Sequence, residues 1–243
     1  MTERTDHIAT LFELIRSLWN ISASDPLAAL LPRDAQSLAG FYPHLQEFVA
    51  TQQISNAGSI DPAAIVRGEI VSMGEGSVIE AGAIVHDSCR LILGPRSRVR
   101  SGAVLRDEVV VGADCLIGVH CEVVRSVILG PSSLLGHFIY LADSIIGRDV
   151  IVAGNVMVAN TALKKDRVVH LSYRGMKVNS GRTHLGVLVG DGVRFGASTT
   201  VCPGCIVVPG LSLPPYVVLY GTIDSVRRYA LMRRFSETWC QTD

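Results

Sequence analysis

The chain has 243 residues, with 22 Lys and Arg against 22 Asp and Glu, so its formal net charge is zero. Proteins that bind nucleic acid through bulk charge usually carry a clear basic excess, so this balance argues against that class. With 48% hydrophobic and only 18% charged residues, the chain is not expected to be disordered.

Two further features bear on the cellular setting. No apolar run approaches the roughly 18 residues of a membrane span, and the first residues lack the basic and apolar regions of a signal peptide. The six Cys are scattered, and a chain of this size needs no disulfides to fold. We therefore expect a reduced, cytoplasmic protein with no membrane and no nucleic-acid partner.

Residues 1–58 are predicted to form a helical N-terminal cap. Their apolar residues recur at three- and four-residue spacing, which indicates two amphipathic helices. The two sets are Ile8, Leu11, Phe12, Ile15, Leu18 and Trp19, and then Leu38, Phe41, Leu45, Phe48 and Val49. Because the end of a repeat domain needs covering, we expect these helices to cover the first coil of the domain that follows.

Residues 59–221 contain apolar residues that recur every six positions. The ladders are Leu105, Val111, Ile117 and Val123; Leu135 and Leu141; Ile146, Val152 and Val158; and Val189, Phe195, Val201 and Val207. Neither a helix nor a single strand has this period. One strand and one turn per six residues, with three such units in each coil of about 18 residues, predict an all-β solenoid of roughly seven or eight coils. The pattern resembles the left-handed parallel β-helix.

Two segments lie outside this ladder. Residues 161–186 are polar and basic, and a loop of this length within a solenoid usually has a function or contacts a partner, although a tolerated surface insertion is the alternative. Residues 222–243 are predicted to form a C-terminal helix, whose simplest role is to pack as an end cap.

The histidines and cysteines do not form a recognisable metal site. No two of the seven histidines have the five-residue spacing found in the β-helical γ-class carbonic anhydrases. Cys202-Pro-Gly-Cys205 has no second cysteine pair with which to hold zinc. We therefore expect no metal.

The most specific motif surrounds His137, in the run Leu135-Gly-His-Phe-Ile-Tyr-Leu-Ala-Asp-Ser-Ile-Ile-Gly147. It resembles the Gly-His-x-x-Tyr-x-Gly-Asp-x-x-Ile-Gly block in the acetyltransferase domain of bifunctional N-acetylglucosamine-1-phosphate uridylyltransferases (glucosamine-1-phosphate acetyltransferases) and archaeal sugar-1-phosphate nucleotidylyltransferases. The resemblance extends from about Arg98 to Gly210 and is most specific over residues 135–160. It implies a hexapeptide-repeat acyltransferase that uses acetyl-CoA, and a homotrimer that binds its substrates in the groove between adjacent β-helices.

The resemblance also implies roles for individual residues. His137 takes the place of the family's catalytic base, and Glu122 takes the place of the glutamate that orients it. The implied contacts of the acceptor, a small-molecule amino-sugar phosphate, are Arg100, Arg125, Tyr140 and Asn160. The residues expected to contact acetyl-CoA are Lys164, Lys165, Arg182 and Ala197. The long loop would reach a neighbouring subunit, so that its basic residues could meet the CoA phosphates.

The chain departs from the family pattern in four places. Ile151 stands where the family has an Asn, and Val152-Ala-Gly154 stands where it has Gly-Ala-Gly. His184 stands where the family has a Lys near the end of the loop. The only glycines in residues 1–58 are Gly40 and Gly58, so this segment is expected to form no phosphate-binding glycine-rich loop and to catalyse no nucleotidyl transfer.

The chemistry of acyl transfer supports His137 independently of the resemblance. An amine must be unprotonated when it attacks a thioester, and a neutral imidazole can take its proton near neutral pH. We therefore predict direct N-acetylation of an amino-sugar phosphate or a nucleotide-linked amino sugar, with no acyl-enzyme. A catalytically silent binding or regulatory subunit, which the changes at Ile151 and Val152 favour, is the alternative. A metal-dependent anhydrase is a third and weaker hypothesis.

Overall fold

The main body of the protein is a parallel β-helix. The computed structural model describes residues 2–164 and 166–225. Each coil contributes short strands to three faces, and strands of successive coils pair in parallel, mostly 18 residues apart. The structure therefore confirms the predicted β-helix of hexapeptide repeats.

Faces 1, 2 and 3 are numbered in the order in which the chain visits them. Within the described residues, face 1 is a sheet of eight strands, close to the number of coils expected, and faces 2 and 3 form one continuous sheet of fifteen. The strands of face 1 are Ser59–Ile60, Val78–Ile79, Arg98–Val99, Leu116–Ile117, Leu134–Leu135, Ile151–Val152, Arg194–Phe195 and Ser212–Leu213. Those of face 2 alone are Ile65–Val66, Ile84–Val85, Tyr140–Ala142, Met157–Val158, Thr200–Val201 and Val218–Leu219. Those of face 3 alone are Ser55–Asn56, Glu69–Met73, Arg90–Leu93, Ile145–Ile146, Val187–Val189, Cys205–Val207 and Thr222–Ile223. Val104–Val111 and Glu122–Ile128 continue from face 2 into face 3.

The corners between the faces align side chains from successive coils. At the corner between faces 1 and 2, called corner 1–2, one residue per coil has a φ of 54–71°. This column contains Gly82, Gly102, His120, Phe138, Asn155, Ser198 and Tyr216. Backbone hydrogen bonds join the coils here, as from Phe138 N to Val119 O at 3.0 Å. Residues that occupy equivalent corner positions therefore stack along the edge of the β-helix.

Gly118 lies where two coils approach too closely for any side chain. A Cβ added there would be 1.5 Å from the carbonyl oxygen of Gly136 in the next coil. At Gly154 the nearest atom to an added Cβ, the carbonyl oxygen of His137, is 3.4 Å away. We expect Gly118→Ala to lower the free energy of unfolding by about 1–3 kcal/mol through overpacking, and Gly154→Ala to lower it by less. Urea denaturation of both variants checks this, and equal losses would contradict the packing argument.

The N-terminal helices pack against the side of the β-helix, over face 3. They are α1 (Thr2–Arg16), a 3₁₀ turn (Pro26–Leu30), α2 (Ala35–Ala39) and α3 (Phe41–Thr51). Their buried residues pack in one cluster with outward side chains of face 3, which are Val110, Val127, Ile145, Leu188 and Ile206. In the first coil, Ile65 is 43% exposed. The helices were expected to cover the end of the first coil; instead they bury the apolar outer surface of face 3, which includes Val71 of the first coil.

The long loop folds back on its own chain. It contains a hairpin of strands His170–Tyr173 and Met176–Asn179, whose residues Leu171 and Val178 are buried in the cluster beneath the helices. The hairpin is therefore packed on face 3 of its own chain, and contact of the rest of the loop with a neighbouring subunit stays a prediction.

The β-helix continues to Ile223, past the predicted boundary at residue 221. Thr222–Ile223 pairs in parallel with the strand Cys205–Val207. The C-terminal helix was predicted at residues 222–243; residues 222 and 223 form this strand instead, and residues 226–243 lie outside the described residues. Among the helices that the structure describes, none is long and apolar enough to cross a membrane.

Candidate functional site

Most of the predicted site residues lie along face 2 and its two corners. Glu122 and Tyr140 are register partners on adjacent strands of this face. His137 lies at corner 1–2, just before the Tyr140 strand, and Arg125 lies at the opposite corner, called corner 2–3. Most of the site residues predicted from the sequence therefore lie on one side of the β-helix.

His137 has an exposed side chain at corner 1–2. Its backbone oxygen accepts a hydrogen bond from Asn155 N at 2.8 Å, which fixes the corner, while no described residue hydrogen-bonds to its imidazole. Ala197 lies at the same corner and accepts from Tyr216 N at 3.0 Å. A ring held by its backbone but unbonded at both nitrogens remains available to a substrate.

Arg100 lies at the end of a face 1 strand, close to the same edge. Its Nε donates to Glu80 at 2.9 Å, and Arg98 donates to the other oxygen of that carboxylate at 3.2 Å. Since this guanidinium is already paired with a carboxylate, its predicted role in phosphate binding gains no support from its contacts.

Glu122 does not contact the histidine that it was predicted to orient. Its Oε1 lies 3.3 Å from Nε of Arg106, and among the described residues no hydrogen bond joins it to His137. Tyr140, beside it, is half-buried, and burial together with the charge of Glu122 raises the pKa of its phenol. The three side chains of Arg106, Glu122 and Tyr140 form a polar patch in the middle of face 2.

A network of buried charges is centred on Asp143 at corner 2–3. The Asp143 side chain is 1% exposed and accepts from Arg125 Nε at 2.9 Å and Nη2 at 3.1 Å. Asn160 Nδ2 donates to it at 2.6 Å, and Arg182 Nη2 lies 3.7 Å away. Arg125 also donates from Nη1 to Asp107 at 2.6 Å, and these bonds raise the pKa of its guanidinium. Arg125 and Asn160, predicted as acceptor contacts, and Arg182 are thus brought together by Asp143.

Asp143 and Asp107 were not among the predicted site residues, although their spacing in the sequence indicated a pairing with Arg125. Asp107, Arg125 and Asp143 are each 18 residues apart, which is one coil, and their charges alternate. All three have positive φ values, of 57°, 42° and 49°. Charges of alternating sign at one coil position predict a ladder of ion pairs along a corner.

A pocket of about 400 Å³ opens beside this network. It lies between the start of α3, corner 2–3 and the returning end of the long loop. Its polar walls are Tyr42, Arg125, Asp143, Arg182, Thr183 and His184. The guanidinium of Arg125 lies 5.7 Å from the ring centre of Tyr42. Burial and the carboxylate of Glu108 raise the pKa of the Tyr42 phenol to about 12, so it remains a hydrogen-bond donor at neutral pH.

The predicted CoA contacts in the loop have different surroundings. The Arg182 side chain is 9% exposed and donates to the backbone oxygen of His184 at 2.9 Å, so it forms the pocket wall. Burial lowers its pKa. Lys164 is exposed, and Lys165 lies outside the described residues. Arg182 is therefore held inside its own subunit, whereas Lys164 is accessible.

No metal centre is found in the part of the chain that the structure describes. No group of three or more His, Cys, Asp or Glu residues there could hold a metal ion. Cys205 is buried and Cys202 is partly exposed, and both are free thiols.

Comparisons with known proteins agree with the motif around His137. No family model matches the chain. A bifunctional sugar-1-phosphate nucleotidylyltransferase/acetyltransferase from Sulfurisphaera tokodaii is 28% identical over 153 residues, which are 61% of this chain and 36% of that protein. The bifunctional protein GlmU of Methanococcus vannielii is 32% identical over 112 residues, covering 46% and 25% of the two chains.

The solved structures show more distant similarity. The polysialic acid O-acetyltransferase OatWY matches with a TM-score of 0.36 and 16% identity, over 72% of this chain and 82% of that one. The chain spans only between a quarter and little more than a third of the length of the curated relatives described above. Over that part, its sequence is similar to bifunctional sugar-1-phosphate nucleotidylyltransferase/acetyltransferases, as the motif predicted.

Proposed function

We propose that this protein is an acetyl-CoA-dependent N-acetyltransferase of the hexapeptide-repeat type that acts on an amino-sugar phosphate or a nucleotide-linked amino sugar. The observation that carries the proposal is the exposed and unbonded imidazole of His137, at the edge of a face that also holds Tyr140 and Glu122. The similarity to sugar-1-phosphate nucleotidylyltransferase/acetyltransferases supports both the reaction and the class of acceptor.

In the proposed reaction His137 is the general base. The acceptor amine attacks the thioester carbonyl of acetyl-CoA, so that an N–C bond forms and the C–S bond breaks. His137 takes the proton that the nitrogen loses and passes it to the departing CoA sulfur, which balances the reaction without an acyl-enzyme. The Tyr140 phenol, kept protonated by its raised pKa, donates a hydrogen bond to the acceptor.

The acyl donor and a second subunit complete the proposed site. Large exposed apolar side chains surround His137, and a patch of this kind on a soluble protein usually contacts a partner. They are Leu134, Phe138, Ile151 and Met157. We propose that a homotrimer covers this patch, and that acetyl-CoA binds near Ala197 and the accessible Lys164. The predicted orienting role of Glu122 is not part of the proposal, because its carboxylate is paired with Arg106.

The test is release of free CoA from acetyl-CoA in the presence of glucosamine-1-phosphate or a nucleotide-linked glucosamine. We expect release that depends on the acceptor, an N-acetylated product by mass spectrometry, and no acetyl group on the intact chain. Light scattering on the same sample should give the mass of a trimer. Absence of turnover with every acceptor, together with no binding of acetyl-CoA by calorimetry, would favour a silent binding subunit instead.

A further inference from the structure

The pocket at corner 2–3 is lined by polar and aromatic side chains from α3, corner 2–3 and the long loop, and neither His137 nor Glu122 lines it. A guanidinium has five N–H donors. Arg125, which lines the pocket, uses three of these on Asp143 and Asp107 and keeps two for other acceptors. Tyr42 and His184 add two aromatic rings to its walls.

The charges around the pocket balance one another. Arg125 and Arg182 face the cavity, but Asp143 and Asp107 neutralise them at 2.6–3.7 Å. A free phosphate would therefore find little net positive charge here. A neutral, planar group with carbonyl acceptors suits the pocket better, because it can accept from the guanidinium and stack on the aromatic rings.

The distance from His137 limits what can join the pocket to the reacting amine. His137 lies at one end of face 2 and Asp143 at the other, six residues further along the chain. At about 3.3 Å per residue in a strand, the separation is on the order of 15–20 Å. An amino sugar with one phosphate is much shorter than this. A sugar joined through a diphosphate to a nucleoside is long enough.

We propose that the corner 2–3 pocket binds the nucleoside end of a nucleotide-linked amino sugar whose amine lies at His137. This inference rests on the proposed function and selects the longer of its two acceptor classes. The base lies against Tyr42 and His184, and its carbonyl groups accept from Arg125. The diphosphate crosses face 2 beside Arg106, whose side chain is 42% exposed and also pairs with Glu122 at 3.3 Å. Asp143 acts as a positioning residue, since it holds Arg125 and Asn160 without facing solvent itself.

The experiment is calorimetric titration of the full chain with UDP, dTDP, GDP, CDP and ADP in turn. We expect at least one of these nucleoside diphosphates to bind. His184→Ala should weaken that binding about tenfold, and Thr183→Trp, which fills the pocket from an exposed loop position, should abolish it.

His44→Ala is the matched control, because His44 is an exposed histidine of α3 outside the pocket walls. His137→Ala should leave the affinity unchanged, since it alters only the far end of face 2. Thermal unfolding of each variant verifies that it is folded.

The outcomes separate this inference from the proposed function. If none of the five binds, or if one binds equally to wild type, His184→Ala and Thr183→Trp, the pocket assignment is overturned even when the protein acetylates glucosamine-1-phosphate. If a nucleoside diphosphate binds in a manner that depends on His184 and Thr183, the assignment stands. The pocket assignment stands even when no amino sugar is acetylated, and in that case only the proposed function is wrong.

Discussion

Replacement of His137 by Ala is expected to lower kcat for acetyl transfer by a factor on the order of 10² to 10⁴, the usual contribution of a general base. The variant loses the group that takes the proton from the attacking amine. Since the imidazole is exposed and unbonded to the described residues, the free energy of unfolding should not change. KM for acetyl-CoA should change little, because the base acts in the transition state rather than in binding the donor.

The matched control is His86→Ala, which removes another exposed histidine, whose imidazole pairs with Asp87 and Ser88. This control should keep wild-type turnover and stability. Added imidazole should restore part of the activity of His137→Ala, and should not increase that of the control. Retention of more than about a tenth of the wild-type kcat by His137→Ala would remove the histidine from the proposed mechanism.

The β-helix was predictable because its interior leaves little choice of residue. Each face contributes inward apolar side chains from successive coils, such as Val99, Ile117 and Leu135 on face 1, all of them fully buried. This requirement produces the six-residue period directly in the sequence. The corners were harder to locate, because a left-handed corner residue in this chain can be Gly, Asp, Ser or even Phe138.

The position of the helices was predicted wrongly. The outward residues of face 3, such as Val127 and Ile145, are apolar and buried beneath the helices. Apolar outward residues also occur on face 1, as at Leu134 and Ile151, and these are exposed, so adjacent apolar residues alone do not identify the covered face. The six-residue period records only the inward side, so the helices were assigned to the end of the β-helix instead.

The candidate site was predicted as a set of residues but not as a set of contacts. The motif places His137 and Tyr140 on one side of the β-helix, and one coil of 18 residues explains why Glu122 lies beside Tyr140. One partner of Arg125, Asp143, lies within the motif, but the motif does not show which side chain it pairs with, and the other partner, Asp107, lies two coils away from Asp143. Tyr42 could not have been found, because its place in the pocket depends on how α3 packs across the chain.

Asp143→Asn is expected to lower the free energy of unfolding by about 3–5 kcal/mol, the cost of removing one partner from a buried ion pair. The carboxylate is 1% exposed and holds Arg125 through two hydrogen bonds. Without its charge, the buried Arg182 loses its counterion, and Arg125 retains only Asp107. Asn tolerates the left-handed backbone at this position, so the loss measures the charge rather than backbone strain.

Asp149→Asn provides the matched control for this effect. Asp149 has the same φ of 49° at the next corner along the chain, but its side chain is 61% exposed and pairs with Arg194 at 2.8 Å. An exposed pair of this kind contributes at most about 1 kcal/mol. Urea denaturation of both variants at neutral pH gives the comparison. If Asp143→Asn costs no more than Asp149→Asn, the corner 2–3 network does not hold the helices, the loop and the β-helix together. The pocket must then take its shape from the apolar packing of α3 on face 3 alone.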